Sequence, residues 1–230
     1  MRIWDVHPGY LNRQSLLGEH RELHGLVSIL VNGKKGYSQH PETLRWVGYG
    51  WALKQRHREL VCEMKLRGYT DKSPVRTRSN QGVWPTVYID KPHIQFEILR
   101  EKYKDKEVGR IPLPINEQEL WSHYKYSVLA RDQAKYKEIG RMVSNHSLSF
   151  ETLSKELIET LRCQPYEGGI RNSLQHMWGY VSEACNENSK RNIESWSLKK
   201  LLRITQENVK KLNEPYLKKS TALSELMVWL

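Results

Sequence analysis

Glu22 closes the run Gln14-Ser15-Leu16-Leu17-Gly18-Glu19-His20-Arg21-Glu22, and Gly25 follows three residues later. On a helix, a turn of roughly 100° per residue brings Gly18, Glu22 and Gly25 within about one sixth of the circumference. A carboxylate, a group able to exchange protons, then stands between two positions without side chains, in a groove open to close approach. Each helical glycine costs about 1 kcal/mol relative to alanine, so two around one acid suggest a use. The plain alternative is tight helix packing, with Glu22 turned to solvent and paired to Arg21 or Arg13. A second candidate is Lys34-Lys35-Gly36-Tyr37-Ser38-Gln39-His40-Pro41, where basic residues and a tyrosine share flexible backbone. It suits either a loop that follows a phosphate backbone or a solvated turn.

The elements that must position these residues are helical. From about residue 13 to 31, Leu16, Leu23, Val27 and Leu30 recur at three- and four-residue steps, and Asn32-Gly33 ends the pattern. A second helix is predicted to open at Pro41 and run to Gly68, although Gly48 and Gly50 weaken its first half. Residues 70–92, with Pro74, Gly82, Pro85 and Pro92, read as a long basic loop, and a third helix fits 93–107. Gly109 to Pro114 then interrupts helical patterning, which places a domain break between residues 112 and 113. Beyond it, Asn116 stands three residues before Glu119 as a helix cap. Helices are predicted at 117–131, 133–144, from Phe150 after Ser149, at 170–184 and at 197–212. No alternating strand pattern and no solenoid period is present. The expected fold is all-α: one helical domain over residues 1–112 and a helical bundle over 113–230.

Among 230 residues, 37 Lys and Arg against 26 Asp and Glu leave a net charge of +11, which points to a polyanionic partner, nucleic acid first. The excess is lopsided, with 20 basic against 12 acidic residues up to position 112 and 17 against 14 beyond it. Eight Trp and 12 Tyr against 2 Phe supply aromatics with polar handles, for stacking or for half-buried packing. The longest apolar stretch, around Leu26 to Val31, is too short to span a bilayer. Residues 1–5 show no secretory signal, so a soluble, cytoplasmic, nucleoid-associated protein that keeps Met1 is expected. Cys62, Cys163 and Cys185 are odd in number and far apart, and read as buried thiols rather than a disulfide or zinc framework.

Met1-Arg2-Ile3, Gln14, Leu16, Glu19 and Arg21-Glu22-Leu23, in ungapped register from the N-terminal amine, resemble the pyrimidine-dimer DNA glycosylases of the phage endonuclease V type. The resemblance continues through Asn32-Gly33-Lys34, Glu59-Leu60, Glu63 and Leu66-Arg67-Gly68-Tyr69, and more faintly into the third helix. It implies that the α-amine of Met1 attacks the sugar C1′ and that Glu22 assists proton transfer. Arg2 and Arg21 correspond to phosphate-binding arginines, Gln14 to a helix-start glutamine near DNA, and Arg100 with Lys104 to a basic pair on the third helix. An unperturbed α-amine titrates at about 7.7 to 8.0, roughly two to three units below lysine, so a sizeable fraction is neutral and nucleophilic. Neither metal nor cofactor is needed for that chemistry. Arg2 is bulky, so the initiator methionine should be kept, and the amine then stands at the family's position. Two positions depart: Ser15 replaces a histidine and Gly25 an arginine, which touches lesion choice more than chemistry. The family's C-terminal aromatic segment has no clear counterpart, and Trp84, Tyr88 and the Trp46 to Trp51 region are candidate stacking surfaces. The nine histidines show no metal-site spacing, so His7, His20, His24 and His40 read as DNA contacts or packed side chains.

In the second half, His123-Tyr124-Lys125-Tyr126, Tyr136-Lys137, Arg171 to Met177 with a core histidine at His176, and Gly179-Tyr180 resemble an uncharacterised bacterial helical domain also found fused to tRNA thiouridine desulfidases. That company implies nucleic-acid binding, with RNA a partner alongside damaged double-stranded DNA. The expected function is therefore a DNA repair glycosylase with AP lyase activity, independent of metal. The alternatives are an RNA- or tRNA-directed enzyme or binding protein, and a non-catalytic nucleic-acid-binding module.

Overall fold

A computed structural model describes residues 1–185 and 193–230. Among them are eleven α-helices and no strand, so the fold is all-α. The chain forms two compact units, Met1–Gly109 and Arg110–Leu230. None of the described helices is long and apolar enough to cross a membrane.

In the first unit, α1 spans Arg13–Asn32. Asn12 caps it by accepting the Ser15 N–H at 2.8 Å, and Gly33 ends it in the left-handed region at φ 61°. The single helix expected from Pro41 to Gly68 is two: α2, Pro41–Arg45, and α3, Gly50–Leu66. The break falls where Gly48 takes φ 86°, which no continuing helix allows. Gly50 opens α3 because residues 77–79 cross over it. Its N–H donates to Ser79 Oγ at 2.9 Å, its carbonyl accepts from Thr77 Oγ1 at 2.7 Å, and a Cβ there would stand 3.2 Å from the Ser79 backbone nitrogen. The segment from Arg67 to Lys91 forms no regular element, and α4 covers Pro92–Lys102, ending five residues before the expected limit at 107. Leu16, Leu23 and Leu26 of α1 meet an apolar interior shared with Leu53 and Leu60 of α3 and Phe96 and Leu99 of α4. Tyr10 lies edge-on to Phe96, with ring centroids 5.0 Å apart.

The second unit is built on α5, Glu117–Leu129, with α6, Gln133–Ser144, α7, Phe150–Leu161, and α8, Glu167–Gly179, packed around it. Then α9, Leu198–Leu212, lies on α8, and the short α10, Pro215–Lys218, and α11, Ala222–Glu225, follow. Asn116, Asp132, Ser149 and Ser197 each cap a helix with a side-chain oxygen. Close crossing of α5 and α8 depends on Gly169, where a Cβ would collide with the Ala130 carbonyl oxygen. Tyr124 and Tyr126 are buried, so those members of the tyrosine-lysine run pack the bundle. Two expectations are corrected here: His176 is exposed because its position on α8 faces away from the core, and Cys163 is exposed past the end of α7.

Candidate active site

The first six residues run extended, and side chains from three helices tie them down. Glu22 Oε2 accepts the Arg2 backbone N–H at 2.5 Å, and Glu19, one turn earlier on α1, accepts the Trp4 N–H at 3.2 Å. Gln95 Oε1 on α4 takes the N–H groups of Asp5 and Val6 at 2.8 and 3.4 Å, while its amide donates to Asp5 and to the Asp90 carbonyl. Arg45 of α2 donates to the Ile3 carbonyl and grips both Asp5 oxygens at 3.0 and 2.9 Å. Glu42 orients Arg45 from the same helix, and also accepts the indole N–H of Trp46. Backbone donors this close to a core find no regular partner in an extended tail, and each left unmade would cost about 1–3 kcal/mol. Side chains therefore substitute for secondary structure and give the N-terminus one position.

Two buried ion pairs underlie this. Arg56 of α3 meets Glu19 at 2.7 and 3.1 Å and Glu59 at 2.9 Å. Burial works against the charged form of Arg56, but Glu19 and Glu59 more than offset it. Burial also pushes the Glu19 carboxyl up to about 7, against the pull of Arg56 and the Trp4 N–H. With a guanidinium fixed on two of its edges, we take the arrangement as an ion pair. Arg67 completes the support, pairing with Glu63 at 2.7 Å and donating to the carbonyls of Leu11 and Gly9 at 2.8 and 3.1 Å.

Beside the tail opens a cleft of about 670 Å³ whose walls include Arg2, Gln14, Gly18, Arg21, Glu22 and Lys102. Arg2 is steered by Asp90, and its guanidinium lies 4.6 Å from the centre of the Trp4 ring. A Cβ on Gly18 would meet nothing within 4 Å, as an open groove requires. The carboxylate of Glu22 thus holds the first peptide N–H of the chain, in the wall of a cavity rimmed by cations.

Residues 1–77 match the family described as pyrimidine dimer DNA glycosylase. Residues 125–226 match a second family, described only as a protein of unknown function (DUF1722). No curated protein and no solved structure matches the chain. The glycosylase-family region holds the tail, most of the cleft wall and all of α1, α2 and α3.

Of the residues singled out in the sequence, Arg2, Gln14, Arg21 and Glu22 come together at the cleft, with Met1 joined to them through Arg2. Lys34 and Lys35 do not: they lie beyond the far end of α1, which stops about 15 Å along its axis from Glu22 at 1.5 Å per residue. Arg100 and Lys104 are exposed and lie outside the cleft walls, whereas Lys102 between them, about 200° from Arg100 around α4, lines the cleft. The four-residue spacing of a basic pair pointed to the other face of that helix. Lys102 and the tail-binding Arg45 and Gln95 were missed, and Glu19 stands in the family register without a role, because partners 15 to 90 residues apart leave no local signal. Trp46 is buried, whereas Trp51 and Trp84 are half-buried, and Trp84 meets Trp46 and Trp51 edge-on at 6.4 and 6.1 Å.

The histidine reading also changes. His20 and His24 of α1, His57 of α3 and Asp71 converge, with their ligating atoms all within 4.8 Å of one another. The fold gathers what separation in the sequence concealed. Burial pushes the His57 imidazole down to about 4, and desolvation and His20 lower His24.

Proposed function

We propose that the first unit is a pyrimidine-dimer DNA glycosylase with AP lyase activity that uses the α-amine of Met1 as nucleophile. The observation that carries this reading is the 2.5 Å hydrogen bond from the Arg2 N–H to Glu22, which ties a carboxylate in the wall of a cation-rimmed cleft to the residue that follows Met1. The neutral amine attacks C1′, and the bond from C1′ to the base nitrogen breaks, with its electron pair leaving on the damaged base. Loss of a proton from the attacking nitrogen and opening of the sugar ring give a protonated imine. That imine is an electron sink. Glu22 removes a proton from C2′, and the 3′ phosphate departs by β-elimination; water then releases the enzyme amine.

Arg2, Arg21 and Lys102 would hold the phosphates on either side of the lesion, with Gln14 at the groove edge. Lys34 and Lys35, beyond a helix end about 15 Å away, would at some 3.4 Å per nucleotide step reach phosphates about four or more steps on. The open backbone at Gly18 leaves room for an extruded nucleotide. The second unit is assigned an accessory role with nucleic acid.

Borohydride reduction during turnover tests this. Protein incubated with duplex DNA holding a cyclobutane dimer or an abasic site should yield a covalent adduct, mapped by mass spectrometry to the peptide beginning at Met1. An adduct on a lysine, or one that survives acetylation of the α-amine, would overturn the mechanism. An adduct formed with RNA but not DNA would replace the substrate.

A further inference from the structure

The cluster behind α1 is not used by this chemistry. His20 and His24 are four residues apart on α1, both lie about 200° around the helix from Glu22, and neither lines the cleft. His57 projects from the middle of α3, and Asp71 stands five residues beyond α3, where the irregular segment begins. His20 Nε2 lies 3.1 Å from Asp71 Oδ1, His57 Nε2 lies 3.2 Å from His24 Nε2, and His57 Nε2 lies 3.8 Å from Asp71 Oδ2. The three imidazole rings pack with centroids 4.7, 4.9 and 5.2 Å apart. Asp71 is itself held, accepting the Ser73 N–H at 3.0 Å.

Three imidazoles packed together are a poor way to fill a core. Each has a hydrogen-bonding edge that an aliphatic residue lacks, and the nitrogens of His24 and His57 face each other. One proton can serve that contact only if one ring accepts. A divalent cation resolves the arrangement, because neutral imidazole nitrogens and a carboxylate are its donors. Bonds of about 2.0–2.1 Å in a tetrahedron require donors about 3.3 Å apart; three of the six separations, 3.1 to 3.8 Å, bracket that value, and none exceeds 4.8 Å.

We propose that His20, His24, His57 and Asp71 bind one transition-metal ion of the Zn²⁺ class in a closed tetrahedral site. Its position makes it a fastener rather than a participant in strand cleavage. Asp71 anchors the start of the irregular stretch, and the three histidines span the α1–α3 pair, so one ion ties three parts of the first unit. Four protein donors leave no position for water or substrate, which is the pattern of a structural site. Metal bound only by the folded chain adds to its stability by mass action.

The test uses the full chain with any affinity tag removed, treated with chelator and titrated with Zn²⁺ by calorimetry and with Co²⁺ by visible absorption. One equivalent per chain should bind, Co²⁺ should give the intense bands of tetrahedral coordination, and the melting temperature should rise with Zn²⁺. His24→Gln and Asp71→Asn, at positions that are only partly buried, should each weaken binding at least about 100-fold, no less than the loss of an outer-shell partner costs. Cys163→Ser and His176→Ala, two exposed alternative ligands, should leave it unchanged. No stoichiometric binding by wild type, octahedral Co²⁺ spectra, or binding that persists in both cluster variants would overturn the proposal. If either cluster variant loses its helical circular dichroism, the wild-type Co²⁺ spectrum and the Zn²⁺-dependent melting temperature decide alone. Abasic-site trapping by the metal-free chain, where it stays folded, keeps this result separate from the mechanism at Met1.

Discussion

Residues 1–109 bury Glu19, Glu42, Arg45, Arg56 and Glu63, whereas the polar side chains buried among the described residues of 110–230 are mostly Ser and Thr, with the charged pair of Arg131 and Glu225 beside them. The second unit concentrates its charge at one junction. There Arg131 meets Glu225 and donates to the carbonyls of Ser127 and Leu161, both at 2.9 Å. Its remaining interior is the apolar faces of capped amphipathic helices, which is how a bundle holds together without help. The first unit has an extended tail and a long irregular segment to position, and neither can satisfy its own backbone. Charged and amide side chains do so instead. The contrast marks where geometry, rather than bulk stability, is being specified.

The largest expected effect separates the two units by activity. Glu22→Gln should keep the fold, since an amide oxygen can still accept the Arg2 N–H, while strand cleavage falls about 100- to 10,000-fold, the range for a lost general acid-base group. Cleavage of abasic DNA under single-turnover conditions measures it, and unchanged rates would remove Glu22 from its role.

Breaking one buried pair in each unit sharpens the comparison. Arg56→Met strands Glu19 and Glu59, and Arg131→Met strands Glu225; each should destabilise its own unit by about 3–5 kcal/mol. Only Arg56→Met should also reduce borohydride trapping, because Glu19 holds Trp4 and through it the tail. Hydrogen exchange read separately on α1–α3 and α5–α8 peptides would show it. Equal loss of trapping in both variants would mean that the units are not independent in function.

How far these assignments were legible in the sequence depends on the range of each signal. The boundaries of α6 match the expected 133–144, because Asp132 caps it and its apolar residues keep period, both local facts. Glu22 stood out for the same reason, through glycines one turn away on its own helix. Gly48 and Gly50 gave a local hint of the two-helix split, whereas the substitution of Lys102 for Arg100 and Lys104 at the cleft and the convergence of His57 and Asp71 on α1 depend on contacts made across the fold. Periodicity carries no trace of these.

Acid should act on the second unit through one residue. His123 of α5 is 3% exposed, and burial, against the pull of Glu119 and helped by Lys219 and Arg110, lowers its pKa to about 4 against the ordinary 6.5. The folded chain therefore refuses a proton that the unfolded chain accepts. The stability this confers is complete above pH 6.5 and is lost as pH falls from there to 4, to a total of about 3 kcal/mol. Exchange protection of α5 against pH measures it, and His123→Gln should flatten that part of the slope.

The smallest effect bears directly on the contrast between stability and geometry. Gly18→Ala adds a Cβ that meets nothing within 4 Å and replaces a poor helix former with the best one. On packing and propensity alone it should stabilise α1 by up to about 1 kcal/mol. If the groove beside Glu22 admits an extruded nucleotide, the same methyl group should narrow it, lowering cleavage of dimer-containing duplex more than cleavage at a small abasic site. Denaturant unfolding and the two cleavage rates, measured on one variant, weigh these against each other. A more stable protein with unchanged preference between the substrates would show that Gly18 is kept for some purpose other than access, and the open wall of the cleft would lose its assigned role.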